Sequence, residues 1–106
     1  MNSIDELIES GKEFNFENNS INKSHGRYSM ASEELFGWIA EVDECIKLNY
    51  GEDSSAYKLL KTYDARYLNG YYKDSFDIEM AKINGALKAC KNLPTNKKRS
   101  PLINTQ

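Results

Sequence analysis

The chain has 106 residues, 40% of them hydrophobic and 28% charged, a balance that suits one globular domain and excludes a wholly disordered one. Its net charge is −2, and because Lys97, Lys98 and Arg99 lie in the last fourteen residues without an acid, residues 1–92 carry −5. An acidic body argues against broad docking on nucleic acid or an anionic membrane, and no stretch approaches the ~18 apolar residues of a membrane span.

The opening segment, Met1 to Ser10, is acidic and amphipathic, with neither the basic start nor the apolar run of a secretory signal, so a cytoplasmic protein is expected. Ser3 with Glu6 has the spacing of a capping box, and Ile4, Leu7, Ile8 and Gly11 form a narrow stripe. The pattern predicts a short helix over 4–13 that must dock on something to persist. Residues 14–31 lose this periodicity; Asn, Ser, Gly and His dominate, with Phe14, Phe16, Ile21, Tyr28 and Met30 scattered among them. They read as a long ordered loop pinned by those apolar side chains, with room for a short pairing around Tyr28.

Ser32 caps the next helix, whose Leu35, Trp38, Ile39, Val42, Cys45, Ile46 and Tyr50 keep to one face until Gly51 stops it. Asp53, Ser54 or Ser55 then caps a third helix carrying Ala56, Leu59, Leu60, Tyr63, Tyr67 and Leu68 and ending at Asn69-Gly70. Asp74 or Ser75 caps a fourth, with Phe76, Met80, Ile83, Leu87 and Cys90 at helix-packing spacing, ending near Asn92. From Pro94 the composition is that of a disordered tail. The expected fold is therefore all-α: a small bundle of three main helices plus a short N-terminal one over 1–93, a long 14–31 loop, and a disordered tail over 94–106. Trp38, Ile39, Val42, Ile46, Leu60, Tyr63, Met80, Ile83 and Leu87 should form its core. Cys45 and Cys90 fall on the apolar stripes and read as buried free thiols; a disulfide between them is possible only if the two helices pack side by side with matched Cβ positions.

Catalytic parts are scarce. The lone histidine, His25, sits in the loop without an acid beside it, and one His with two separated Cys matches no metal-ligand spacing. Glu34, Glu41 and Glu44 share a helical face but read as its solvated side, and no phosphate-cradling glycine loop is present. Neither a cofactor nor a metal is expected, and the chain reads as a non-enzyme.

Tyrosine is the least ordinary feature. Of seven, five lie in residues 57–72, and Tyr63, Tyr67 and Tyr71 are spaced by four with Arg66 beside them and Tyr72 following. Tyrosine and arginine are the residues of binding hot spots, so Tyr63, Arg66, Tyr67, Tyr71 and Tyr72 are the candidate protein-binding residues. Lys23, His25, Arg27 and Tyr28 are candidate ligand-binding residues, suited to an anion whose base or ring stacks on the tyrosines.

The stretch from Glu34-Leu35-Phe36-Gly37-Trp38 through Tyr50-Gly51-Glu52-Asp53-Ser54, with Leu7-Ile8-Glu9-Ser10-Gly11-Lys12 before it, resembles small helical domains of bacterial proteins, some of them phage-defence effectors. The resemblance spans about the first half of the chain. It implies a helical part that senses or docks beside a separate effector domain, and it carries over no catalytic residue. The expected function is thus a helical protein-binding module, regulatory, adaptor or inhibitory, acting on another protein or on a second copy. The alternative is a small-molecule or nucleotide sensor using the 23–28 loop and the tyrosine-rich end of the third helix.

Overall fold

A computed structural model of the protein describes residues 3–93, so the expected tail lies outside the described residues. Helix α1 spans Ile4–Gly11, strands β1 and β2 span Ser20–Lys23 and Gly26–Ser29, and helices α2, α3 and α4 span Glu33–Tyr50, Ser55–Leu60 and Lys73–Cys90. A 3-10 turn over Ala65–Leu68 precedes α4. The fold is predominantly helical but not purely so, because the expected 14–31 loop contains an antiparallel hairpin.

The capping box at the first helix forms as expected: Ser3 N–H donates to Glu6 Oε1 at 2.8 Å and Glu6 N–H donates to Ser3 Oγ at 3.2 Å. Two satisfied donors start a helix that is too short to hold itself, and its docking on α2 and α4 supplies the rest. Leu7 is fully buried, and its carbonyl accepts the indole N–H of Trp38 at 3.0 Å. Beyond α1 the chain is pinned by aromatic contacts: Phe14 lies 5.4 Å from the Trp38 ring, and buried Phe16 meets Phe76 edge-on at 6.0 Å.

In the hairpin, Ile21 faces Tyr28, Asn22 faces Arg27 and Lys23 faces Gly26. The connection is only Ser24-His25, and Gly26 adopts φ +139°, a conformation open to glycine. Each strand is four residues long and largely exposed, so the sequence has no apolar alternation to announce it.

Helix α2 follows its stripe closely. Ser32 Oγ accepts Leu35 N–H at 3.0 Å, and Leu35, Trp38, Ile39, Val42, Cys45, Ile46 and Tyr50 are all buried. The expected third helix is divided. Helix α3 starts under Ser54, whose Oγ accepts Tyr57 N–H at 3.1 Å, but it ends at Leu60. The interruption has a physical source on α4: buried Glu79 accepts Asp64 N–H at 2.7 Å, and Lys82 reaches Glu79 at 3.1 Å and the Thr62 carbonyl at 3.4 Å. Thr62 Oγ1 also donates to the Leu59 carbonyl at 2.6 Å, a local bond that competes with helix continuation.

Helix α4 begins two or three residues earlier than a cap at Asp74 or Ser75 would have it, with Tyr72 at the N-cap and no side-chain cap bond. Asp74 instead sits in the first turn, where a carboxylate favours the positive end of the helix dipole. Phe76, Met80, Ile83, Ala86, Leu87 and Cys90 face inward, and α4 touches each of the other helices and β2. Of the nine expected core residues, eight are buried; Tyr63 is half-buried and packs against the cluster from outside. Cys45 and Cys90 are both buried and are not joined in a disulfide. No helix among the described residues is long and apolar enough to cross a membrane.

Candidate binding surface

The hairpin and the entrance to α4 are fastened at Ser29, which is 3% exposed. Its carbonyl accepts Gly70 N–H at 2.7 Å, its N–H donates to the Tyr71 carbonyl at 2.7 Å, and its Oγ accepts Tyr71 N–H at 3.1 Å. Two residues thus oppose one, as in a β-bulge, and Gly70 takes the positive φ (+88°) that such a bend requires. Asn69 Oδ1 adds a bond from Ala31 N–H at 3.1 Å. The segment 69–72 is thereby tied to the end of β2, beside a sheet of two strands.

That fastening assembles the tyrosines. Tyr28 on β2 and Tyr72 at the start of α4 are 44 residues apart in sequence, yet their rings lie 4.9 Å apart at 32° and their hydroxyls 3.1 Å apart. The shared hydrogen bond holds the Tyr28 phenol above its ordinary pKa. Tyr67 and Tyr71 meet edge to face at 4.8 Å, and the Arg66 guanidinium sits 5.7 Å above the Tyr67 ring. Tyr71 and Tyr72 are 42% and 57% exposed, so the aromatic area is presented outward rather than spent on the core.

The expected residues are therefore brought together in part. Tyr28 joins Tyr72, and Arg66 joins Tyr67 and Tyr71. Tyr63 faces α2 instead and lines a shallow cleft of about 350 Å³ with Phe36, Ile39, Ala40, Asp43 and Glu44. The positive charges are less open than the sequence suggests. Arg27 donates through Nε to Ser20 Oγ at 2.6 Å and through Nη2 to the Glu17 carbonyl at 3.3 Å, so it braces the hairpin. Arg66 forks onto Asp64, with its closest contact at 2.7 Å, and this pairing holds the Asp64 carboxyl below its usual range and raises the Arg66 pKa. Lys23 and His25 are exposed at the hairpin turn, and Lys73 is paired with Asp77 at 2.6 Å.

Elsewhere, Glu34 and Glu41 line a second open cleft of about 420 Å³ floored by Phe14 and Trp38, whereas Glu44 belongs to the Tyr63 cleft. Among the described residues no three His, Cys, Asp or Glu side chains are gathered to hold a metal ion. Sequence reasoning missed Ser29 and Glu79, the two buried polar residues that fix the surface and the helix break. Gly26 and Gly70 were the available signals, since each marks a bend, but neither names its partner.

No family model matches the chain, and no solved structure matches it. A deoxyribose-phosphate aldolase of Staphylococcus saprophyticus is 36% identical over 87 residues, an alignment that covers 82% of this chain. The chain spans only 36% of that aldolase's length.

Proposed function

We propose that the chain is a non-catalytic helical module that binds another protein, in a regulatory, adaptor or inhibitory role, through the tyrosine surface of Tyr28, Tyr67, Tyr71 and Tyr72 with Arg66. The observation that carries this reading is the outward presentation of Tyr71 and Tyr72 on a segment fixed to β2 by three hydrogen bonds to Ser29. Rigid aromatic area that is ordered before contact loses little entropy on binding, which is what makes tyrosine an efficient anchor. The resemblance of residues 34–54 to helical domains that sit beside bacterial effectors supports a partner of that kind.

The test is a paired affinity purification from the source cells, with the wild-type chain and with Tyr71→Ala and Tyr72→Ala as baits. A stoichiometric partner should be recovered by the wild type and lost from both variants, while their circular-dichroism spectra stay helical. Equal recovery by all three baits removes the proposal.

A sensor for a small anion is less well supported, because Arg27, the strongest candidate for gripping one, is engaged within the hairpin. The relative's name raises an aldol reaction on a deoxyribose phosphate. Amine-based aldol chemistry needs a lysine whose pKa is lowered, whereas Asp43 and Asp77 hold Lys61 and Lys73 above the ordinary lysine value. Incubation with deoxyribose phosphate should leave it intact; cleavage by the purified chain would replace the binding reading with an enzymatic one.

A further inference from the structure

We propose that Tyr28 and Tyr72 form an oxidative coupling site, at which a haem peroxidase with hydrogen peroxide joins the two rings into an intrachain dityrosine. The geometry is favourable for that bond. The hydroxyl-bearing ends of the rings meet, with the oxygens 3.1 Å apart, the ring centroids 4.9 Å apart and the planes only 32° from parallel. The ortho carbons that flank each hydroxyl are therefore neighbours across the contact. Tyr72 is 57% exposed, so the oxidant can reach the pair. The two backbones are already held beside each other, because Ser29 and Tyr71, the residues next to them, exchange hydrogen bonds.

The chemistry balances. Each phenol gives one electron and one proton to the peroxidase, leaving a neutral phenoxyl radical with spin on its ortho carbons. One ortho carbon of each ring then pairs its electron to form a carbon–carbon bond. Each ring regains aromaticity by moving its ortho hydrogen to the phenolic oxygen. Overall, two tyrosines and one hydrogen peroxide give one dityrosine and two waters. The product staples β2 to the entrance of α4 and closes a loop between two residues 44 positions apart.

The Tyr67–Tyr71 pair is the internal control. Its centroids are as close, at 4.8 Å, but the rings cross at 68°, which sets one plane across the other rather than beside it. The experiment treats the dilute full chain with a haem peroxidase and a few equivalents of hydrogen peroxide, then reads dityrosine fluorescence, the oligomeric state of the product and its peptide map. The expected result is a monomeric product in which the peptides carrying Tyr28 and Tyr72 are joined and lighter by two hydrogen atoms. Tyr28→Phe and Tyr72→Phe, which keep the ring and remove only the hydroxyl, should each lose that joined peptide, and Tyr63→Phe should retain it. The wild-type map stands by itself if either Phe variant fails to fold. Coupling chiefly between chains, coupling at Tyr67–Tyr71 in preference, or oxidation without a Tyr28–Tyr72 link would overturn the assignment.

Discussion

Trp38 closes directly over Gly11: a Cβ built on that glycine would overlap the indole, with Cη2 only 2.9 Å away. The same ring donates its N–H to the Leu7 carbonyl one turn earlier, so α1 is held to α2 by one side chain that both fills and hydrogen-bonds the crevice. Glycine at this place is therefore a packing requirement at the end of a helix.

Gly11→Ala is expected to destabilise the domain. Alanine has the better helix propensity, by about 1 kcal/mol, which taken alone would stabilise. The ring it meets is 4% exposed and bonded at its nitrogen, so it cannot swing aside. Overpacking of that kind costs roughly 1–3 kcal/mol and should exceed the propensity gain. Urea unfolding followed by Trp38 fluorescence measures the difference; a midpoint at or above the wild type would show that α1 can shift at little cost.

Glu79 makes the second case. Its carboxylate is 5% exposed and accepts from Asp64 N–H and Lys82 Nζ at 2.7 and 3.1 Å. Glu79→Ala leaves both donors short of a partner, at a cost of about 1–3 kcal/mol. Glu79→Gln keeps an acceptor oxygen for Asp64 and should cost less than Glu79→Ala in the same unfolding experiment. If the two variants are equally destabilised, the charge on Lys82 rather than the Asp64 bond governs the site.

These two positions also mark where the sequence is legible and where it is not. The stripe of α2 is visible because a helix with one buried face repeats its apolar residues locally, and every stripe residue from Leu35 to Tyr50 is buried. Gly11 is legible as part of the α1 stripe, but not as the seat of Trp38, 27 positions away. The break after Leu60 cannot be read locally, because Tyr63 and Tyr67 keep helical spacing and the acceptor that captures Asp64 N–H is Glu79, fifteen residues on. The hairpin is legible only as room for a short pairing around Tyr28, because its strands are exposed and the bonds that anchor it run from Ser29 to Gly70 and Tyr71. The same distance hides the surface: Tyr67 and Tyr71 are close in sequence, whereas Tyr28 and Tyr72 meet only after folding.

Ser29→Ala should loosen the tyrosine surface while sparing the helices. The variant keeps both backbone bonds but removes the Oγ that accepts Tyr71 N–H. One unpaired amide at a partly wet position costs about 1 kcal/mol. Amide hydrogen exchange should show faster exchange at Gly70 and Tyr71 and unchanged protection in α2. Equal loss of protection in α2 would mean that the hairpin and the helices open as one unit.

The thiols give a pH dependence with a defined sign. Burial pushes Cys90 up to about 12, with the neighbouring Cys45 adding to it, and burial also raises Cys45 against a partly offsetting bond from Asn49. In the unfolded chain both revert toward the ordinary value of 9.0. Between those values the unfolded state has released a proton that the folded state retains, so alkaline pH favours unfolding. The stability associated with the neutral thiols is fully present below pH 9 and declines as pH rises toward the folded pKa, at up to about 1.4 kcal/mol per pH unit for each thiol. Cys90→Ala should flatten that alkaline decline in urea midpoints while lowering stability at neutral pH by emptying a buried site. At pH 8 the folded wild type should resist alkylation at both cysteines and react only as fast as it unfolds. Rapid labelling of Cys90 in the folded state would show that α4 opens locally at its C-terminal end, and that this end, rather than the whole domain, governs access to the thiol.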